Sequence, residues 1–146
     1  MIKNPQSLVD ATAITGIADN NQVQPNGIDF TLDTIVVIEQ TPCYISNDKS
    51  RRVFRKFAPL ELTDSHTVSH LFPRTTDDRY VGWLLEPGQC YECSSDVRVN
   101  VPVGTAVSLA IKSTLNRMGV QLLSGLYDTS FNGHVGFTIY NPTGYT

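Results

Sequence analysis

The chain has 146 residues, of which 40% are hydrophobic and 17% are charged, and its formal net charge is −3. This length and composition predict a single globular domain over residues 1–146, with enough apolar chain for a core. The small negative charge argues against general nucleic-acid binding, so we expect no nucleic-acid partner. No apolar run of eighteen residues is present and MIKNPQSLVD has no signal-peptide core, so we expect no membrane span and a cytoplasmic location.

The first half of the chain predicts a short helix followed by β-structure. Residues 5–18 favour a short helix or turn, because a proline stands near the start and Gly16 is a typical terminator. Pro25-Asn26-Gly27 indicates a turn. Residues 28–39 are rich in β-branched side chains and predict a strand pair or one long bent strand. Residues 40–80 mix turn residues with short apolar runs, which is typical of a meander with long loops.

Within that meander, residues 49–57 (KSRRVFRKF) combine basic and aromatic side chains. Such a run can contact nucleic acid or a phosphate. We prefer the alternative of a strand, in which VFRKF alternates between an inner face and a solvated cationic face. The reason is that the rest of the chain is acidic and offers no second basic patch.

The second half of the chain predicts many short strands and little helix. Residues 80–111 alternate apolar runs with turn signals at Pro87-Gly88 and Pro102-Val103-Gly104, and residues 133–140 predict a last strand. Only residues 113–118 have a helix-compatible composition. The whole pattern predicts an all-β fold of the barrel or jelly-roll type, with one short helix in this half and a possible short helix near the N-terminus.

Two cysteines and two histidines could nominally build a zinc site. Cys90 and Cys93 form a C-x-x-C, and His66 and His70 form an H-x-x-x-H. We prefer a structural interpretation, because the cysteines lie in a predicted strand, where positions three apart point to opposite faces.

Residues 112–133 contain the side chains that point most directly to a chemistry. Lys112-Ser113-Thr114 and Arg117 place two hydroxyls among cations, and phosphate oxygens accept charge-assisted hydrogen bonds from such groups. Asp128 and Phe131 follow in a turn that ends with glycine. A carboxylate can orient or deprotonate a water, and an aromatic ring offers a flat face to a sugar or base. The segment therefore predicts a nucleotide site.

The same residues carry a resemblance to a known superfamily. KSTLNRMG (112–119) resembles the Arg-Ser-Ser-Leu-x-Arg-x-Gly motif of dUTPases and dCTP deaminases, and GLYDTSFNG (125–133) resembles their Gly-x-Ile-Asp-x-x-Tyr-x-Gly motif. Residues 22–32, QVQPNGIDFTL, are similar to the deaminase-like form of the first motif. The resemblance covers residues 14–144, and three further pairs fall in the family order: Pro87-Gly88, Val101-Pro102 and Tyr140-Asn141. It implies a dUTPase-like β-domain that forms homotrimers, with each active site completed by neighbouring subunits.

The resemblance also implies a role for each candidate residue. Asp128 would orient the attacking water, and Phe131, in place of a tyrosine, would pack against deoxyribose. Asp29 would help to hold Mg²⁺, often through water, with Gln24 and Asn26 nearby. The remaining candidates bind phosphate (Lys112, Ser113, Thr114 and Arg117) or read the base from the hairpin at residues 121–125 (Gln121, Leu122, Leu123, Ser124 and Gly125).

Plainer interpretations stay open for four of these residues. Asp128 could cap its own turn, and Phe131 could be a core aromatic. Asp29 could be a structural residue at the start of a strand, and Arg117 could be an exposed cation on a short helix.

Three features depart from the family pattern. Thr138 stands where deaminases carry a catalytic glutamate, and a threonine cannot act as a general acid or base. The link from Ser113 to Asp128 is shorter than the family hairpin by one to three residues, which bears on base identity. The sequence ends at Thr146 without the family's last strand motif or its Gly-rich C-terminal segment. Closure of that segment over the phosphates positions the substrate and excludes water.

These features favour a Mg²⁺-dependent deoxynucleoside triphosphate pyrophosphohydrolase that converts dUTP to dUMP and pyrophosphate. The first alternative is a dCTP deaminase. The second is a non-catalytic module that uses this fold for assembly or for nucleotide sensing. The expected partners are a deoxynucleotide (dUTP or dCTP) and further copies of the chain.

Overall fold

The computed structural model describes residues 4–64 and 81–144. This part of the chain is strand-rich, with two short α-helices, α1 (Pro5–Asp10) and α2 (Ser113–Arg117), and short 3₁₀ turns at Asn20–Gln22 and Lys49–Arg51. The predicted all-β fold with few short helices is therefore confirmed. The strands are β1 (Ile14–Thr15), β2 (Val23–Gln24), β3 (Gly27–Ile28), β4 (Leu32–Ile38), β5 (Phe57–Pro59), β6 (Thr63–Asp64), β7 (Val81–Gly82), β8 (Cys90–Asn100), β9 (Val107–Ser108), β10 (Gln121–Leu123), β11 (Leu126–Tyr127) and β12 (Asn132–Tyr140).

A mainly antiparallel sheet with the order β10-β12-β8-β4-β5 organises the fold, and β1 also pairs with β8. β8 is the central strand, and its side chains alternate between a buried and a more exposed face, as the period of two in a strand dictates. The buried face joins two apolar clusters, one around Val97, Val99 and Val135 and the other around Tyr91 and Ile139. The core therefore lies along one side of β8 and β12.

The N-terminal segment differs from its prediction. The helix begins after Asn4, whose Oδ1 accepts a hydrogen bond from Gln6 N at 2.9 Å, and it ends at Asp10 rather than near Gly16. The chain then extends, and Ile14 pairs with Val99 of β8 because its β-branched side chain is buried in the core. Gly16 is needed for contact rather than for helix termination, since its φ is +83° and a Cβ there would lie 2.7 Å from the Asp96 carbonyl oxygen.

The two predictions that follow along the chain are confirmed. Pro25-Asn26 forms the two-residue turn between β2 and β3. β4 occupies most of residues 28–39, with an irregular register between Leu32 and Thr34.

Beyond the sheet, the β4–β5 pair continues as residues 39–56, which we call the arm. Glu39 N donates to the Lys56 carbonyl oxygen at 2.9 Å, and Tyr44 and Val53 exchange two hydrogen bonds of 3.0 Å. The predicted alternating strand VFRKF is wrong, because every side chain from residue 49 to residue 57 is exposed. No apolar layer within the described part of the chain packs on the arm, so neither face turns inward.

Cys90 and Cys93 lie in β8, as predicted, with Cys93 buried and Cys90 partly exposed. Burial, followed by the charge of Glu92, raises the pKa of the Cys93 thiol to about 12. His66 and His70, the other two members of the nominal zinc set, lie outside the described residues. Over residues 4–64 and 81–144, no helix combines the length and apolar character needed to cross a bilayer.

Candidate functional site

The structure joins the first motif to the phosphate motif through one ion pair. Lys112 Nζ lies 2.8 Å from Asp29 Oδ2, although the two residues are 83 positions apart in the sequence. Their side chains are 60% and 38% exposed. The proposed phosphate-binding cation and the proposed Mg²⁺ carboxylate therefore meet at one solvent-accessible point.

The buried side chain of Gln22 holds the backbone around Asp29. Gln22 Nε2 donates to the Asp29 carbonyl oxygen at 3.1 Å, and Asp29 N donates to the Gln22 carbonyl oxygen at 2.8 Å. Gln22 Oε1 accepts hydrogen bonds from Ala18 N and Asp19 N. Gln22 is thus a positioning residue that sequence reasoning missed. Its only signal in the sequence was its place as the first residue of the first motif, at residues 22–32.

Lys112 is the N-cap residue of α2, so the helix begins at the proposed phosphate-binding residues. Ser113 and Thr114 are exposed, and neither hydroxyl has a hydrogen-bond partner among the described residues. Arg117 is exposed in the last turn of the helix. Gly119 then ends the helix with φ +82°. One turn of helix therefore presents two hydroxyls and two cations to solvent.

Asp29 and Lys112 line a wide cleft of about 1430 Å³ between the layers of the fold. Gln24 and Asn26 line it as well, whereas most of the remaining lining is apolar and includes Leu122. Apolar walls cannot compensate a phosphate for its lost hydration. The charged end at Asp29 and Lys112 is therefore the part of the cleft suited to an anion.

Asp128 lies in a separate turn after β11. The turn is anchored to the strand-end residue Val101, since Ser130 N donates to its carbonyl oxygen at 3.0 Å and Val101 N donates to the Phe131 carbonyl oxygen at 2.8 Å. Asp128 is exposed, and its carboxylate accepts no hydrogen bond from the described residues. The carboxylate does not cap its own turn, so it is available to an outside group.

Phe131 packs on the molecule's own core. Its ring lies 4.9 Å from the ring of Tyr127, tilted by 59°, and it contacts the apolar cluster around Val99 and Val135. Gly133 lies beneath this ring, because a Cβ there would come within 3.3 Å of Phe131 Cζ. The ring remains partly exposed, so the structure combines a core role with one accessible face.

The two groups of candidate residues, Asp29 with Lys112 and Asp128 with Phe131, flank a short antiparallel pair of strands. β11 pairs with β9 so that Tyr127 faces Val107 and Leu126 faces Ser108. Asp128 therefore lies just past the Val107 end of this pair, whereas Lys112 follows four residues after Ser108 at the other end. An extended chain advances about 3.3 Å per residue, so the five residues from Val107 to Lys112 span at most roughly 17 Å. Neither Asp128 nor Phe131 lines the cleft that Lys112 lines.

The proposed base-reading hairpin forms β10 and the turn that follows. Leu123 pairs with Thr138 of β12, and Ser124 and Gly125 are exposed where the chain passes from the central sheet to β11. Thr138 in turn pairs with Glu92 of β8, and Thr138 Oγ1 donates to Glu92 Oε2 at 2.9 Å. A carboxylate from the neighbouring strand therefore lies beside the threonine.

The described residues offer a limited set of metal ligands. No group of three or more His, Cys, Asp or Glu side chains could hold a metal ion within residues 4–64 and 81–144. Asp29 contributes a single carboxylate, with the amide side chains of Gln24 and Asn26 lining the same cleft. Mg²⁺ usually keeps several waters and binds one or two carboxylates together with substrate phosphates. This donor set fits Mg²⁺ held largely by water and phosphate, and it does not fit a metal held by protein alone.

The structure defines a strand-rich domain with a cleft whose charged end is suited to an anion, and comparison with known proteins narrows this class. The model of the dCTP deaminase-like family matches residues 5–145. The chain is 27% identical over 144 residues to a protein named probable deoxyuridine 5'-triphosphate nucleotidohydrolase from Methanosarcina mazei, and it covers 71% of that relative. It is 30% identical over 115 residues to a protein of the same name from Methanococcoides burtonii, and it covers 57% of that relative.

A structural comparison agrees with this assignment. The crystal structure of 2'-deoxycytidine 5'-triphosphate deaminase from Agrobacterium tumefaciens aligns with 94% of the chain at a TM-score of 0.60 and 17% identity, which shows a shared fold. The chain spans 39% of the length of that deaminase. This protein belongs to the dCTP deaminase-like family, within the dUTPase and dCTP deaminase superfamily.

Proposed function

We propose that the chain is a dUTPase-type nucleotide hydrolase that converts dUTP to dUMP and pyrophosphate. The observation that carries the proposal is the Asp29–Lys112 ion pair, which brings the first motif and the phosphate motif to one point of the cleft. The names of the relatives from Methanosarcina and Methanococcoides support the same reaction class. Thr138 in place of a carboxylate supports hydrolysis over deamination.

In this proposal, the α2 start binds the phosphate chain. Lys112 and Arg117 supply charge, and Ser113 and Thr114 supply hydroxyl donors. An exposed ion pair contributes at most about 1 kcal/mol, so Lys112 can leave Asp29 for a phosphate oxygen at little cost. Asp29 is then free to orient water around Mg²⁺, which, when bound, neutralises charge on the phosphates.

Asp128 activates the attacking water. Its carboxylate has no partner among the described residues, so it can accept a proton as the water oxygen attacks the α-phosphorus. The bond from the α-phosphorus to the bridging oxygen breaks, and pyrophosphate leaves. Phe131 offers its accessible face to the deoxyribose. Leu122, Ser124 and Gly125 form the segment assigned to the base.

We further propose that each site is shared between copies of the chain in a homotrimer. The supporting observations are that Asp128 follows the Val107 end of the β9–β11 pair, whereas Lys112 lies four residues after Ser108, and that Asp128 does not line the cleft that Lys112 lines. A neighbouring copy that presents its Asp128 turn to the Lys112 end of the cleft resolves the separation.

The reaction is tested by pyrophosphate release from dUTP with Mg²⁺ by the wild-type protein and by the Asp128→Asn variant. General-base catalysis typically contributes 10²–10⁴-fold, so we expect the variant to lose at least about a hundredfold in turnover. Asp33→Asn is a matched control, since Asp33 is an exposed carboxylate of β4 that makes no ion pair with the described residues. Full turnover by Asp128→Asn would contradict the assignment.

The shared site is tested by mixing two inactive variants, Asp128→Asn and Lys112→Gln. In a randomly mixed homotrimer, a site with Lys112 from one copy and Asp128 from the next is intact in about a quarter of cases. Recovery of about a quarter of the wild-type rate is therefore expected after co-refolding. No recovery from variants that still form oligomers would mean that both residues act within one copy.

Deamination of dCTP is a second candidate function, and one observation favours it. The Glu92 carboxylate accepts a hydrogen bond from Thr138, so an acid or base lies one strand away from the position of the deaminase glutamate. Ammonia release from dCTP that disappears in Glu92→Gln would establish this candidate. Pyrophosphate release without ammonia would exclude deamination and support hydrolysis. Folded protein that yields neither product would support the non-catalytic module.

A further inference from the structure

The arm is the most basic and the most exposed aromatic segment of the described chain. Five of the eleven Lys and Arg residues of the whole protein lie within residues 49–56, although the net charge of the chain is −3. Large apolar side chains project from the same ribbon, with Phe54 77% and Tyr44 60% exposed. Phe57, the first residue of β5, is also more than half exposed. Cations and aromatic rings therefore alternate along one exposed ribbon.

Few groups neutralise these cations. Arg51 pairs with Asp48 at 3.3 Å, and Arg52 Nε donates to the Ser46 carbonyl oxygen at 3.0 Å. Lys49, Arg55 and Lys56 form no side-chain ion pair with any residue in the described ranges. The backbone hydrogen bonds between the two sides of the arm, Glu39 with Lys56 and Tyr44 with Val53, hold it as a ribbon.

We propose that the arm binds single-stranded nucleic acid. Exposed cations can contact the phosphates of a single strand while exposed rings stack on its bases. Binding of this kind has little preference for the base sequence. The proposal is independent of the hydrolase activity, because no residue of the arm belongs to the site described above. It departs from the expectation of no nucleic-acid partner, which depended on the net charge of −3.

A polyanion fits this surface better than a second protein does. Protein interfaces are depleted in charge at their core, and lysines buried there without partners are costly. The negative net charge of the chain does not oppose local binding, because charges farther away than about 8 Å are screened at physiological ionic strength. Single strands are favoured over duplex because the unpaired bases of a single strand are free to stack on Tyr44 and Phe54.

The test is fluorescence anisotropy of a labelled twelve-nucleotide oligothymidylate titrated with the full chain at 50 and 200 mM salt. Contacts with about four phosphates predict an affinity loss of about 50-fold over this range. The Phe54→Ala variant is expected to bind about tenfold more weakly, since one stacked base is lost. Val103→Ala is the matched control, because Val103 is an exposed apolar residue in a turn away from the arm. A triple variant, Arg52→Gln/Arg55→Gln/Lys56→Gln, should abolish measurable binding and retain dUTP hydrolysis.

Three outcomes would overturn the proposal. The first is no binding of the oligonucleotide at 50 mM salt by protein shown to be folded. The second is equal binding of a twelve-base-pair duplex, or an unchanged affinity of Phe54→Ala, since either excludes base stacking. The third combines two results: the wild type does not bind the oligonucleotide, and the triple variant loses its oligomeric state in light scattering. That result would assign the arm to a contact between copies of the chain.

Discussion

β8 and the arm are both built from paired, extended chain, yet they have opposite environments. β8 is bordered by β12 on one side and by β4 and β1 on the other, and its inner side chains, including Tyr91 and Val97, are fully buried. Among the described residues the arm pairs its backbone only with itself, and Phe54 is 77% exposed. Both segments contain apolar residues of high strand propensity. Neighbouring strands, rather than local composition, therefore decide whether such side chains form a core or stay exposed.

The strongest test of this contrast replaces one aromatic residue in each region. Tyr91→Ala should lower the free energy of unfolding by about 3–5 kcal/mol, because it empties a fully buried site and removes the hydroxyl that accepts a hydrogen bond from Glu86 N. Phe54→Ala in the arm should change it by less than about 0.5 kcal/mol. Urea unfolding followed by circular dichroism measures both values. Equal losses would mean that the arm packs on the protein after all.

A second test compares two glycines that both have positive φ. Gly16→Ala should destabilise the protein by about 1–3 kcal/mol, because the new Cβ would meet the Asp96 carbonyl oxygen at 2.7 Å in addition to the backbone strain. Gly104, at φ +77°, has no atom within 4 Å of a built Cβ, so Gly104→Ala isolates the strain. Thermal unfolding of the two variants should differ by several degrees. Matching midpoints would exclude the close approach of β8 to Gly16.

A third test uses the pH dependence of stability and the reactivity of Cys43 and Cys93. Burial raises the pKa of Cys93 to about 12, so the folded protein keeps a proton that the unfolded chain releases near pH 8.5. Stability from this group is present in full below about pH 8.5 and is lost as the pH rises toward 12. The urea midpoint should therefore fall between pH 7.5 and pH 10, and less so in Cys93→Ala. Iodoacetamide should label the exposed Cys43 of the arm first, and labelling of Cys93 at the same rate would contradict its burial.

The smallest effect on stability is expected at the site itself. Lys112→Gln removes an ion pair whose side chains are 60% and 38% exposed, and such pairs contribute less than about 1 kcal/mol. The free energy of unfolding should change by less than about 0.5 kcal/mol, whereas pyrophosphate release should fall strongly. Arg98→Gln is the control, because Arg98 is an exposed cation that donates to Asn132 on the outer face of the sheet. A large stability loss in Lys112→Gln would indicate a structural role instead.

Much of the fold follows from local sequence patterns. The apolar runs between turn signals in residues 80–111 predict strands there, Pro25-Asn26-Gly27 predicts a turn, and residues 113–118 predict α2. The arm could not be predicted, because VFRKF alternates as a half-buried strand does and only the absence of a covering layer among the described residues distinguishes the two.

The site was predictable as a set of residues but not as an arrangement. The motifs identify Asp29, Lys112 and Asp128 along the chain. Which of these residues lie close together depends on contacts between distant segments. The contact between Asp29 and Lys112 joins residues 83 positions apart, and the placement of Asp128 depends on the β9–β11 register; no local pattern encodes either. Glu92 beside Thr138 is a further case, since cross-strand neighbours 46 residues apart leave no signal in either segment.

The register of β9 and β11 also has a consequence for the protein at low abundance. If Lys112 and Asp128 of different copies act on one substrate, a dissociated copy has no working site, and the active fraction follows mass action. Specific activity would then fall on dilution, so that halving the number of molecules would remove more than half of the rate. Through the placement of Asp128 at the end of the β9–β11 pair, the activity per molecule would then depend on the concentration of the protein.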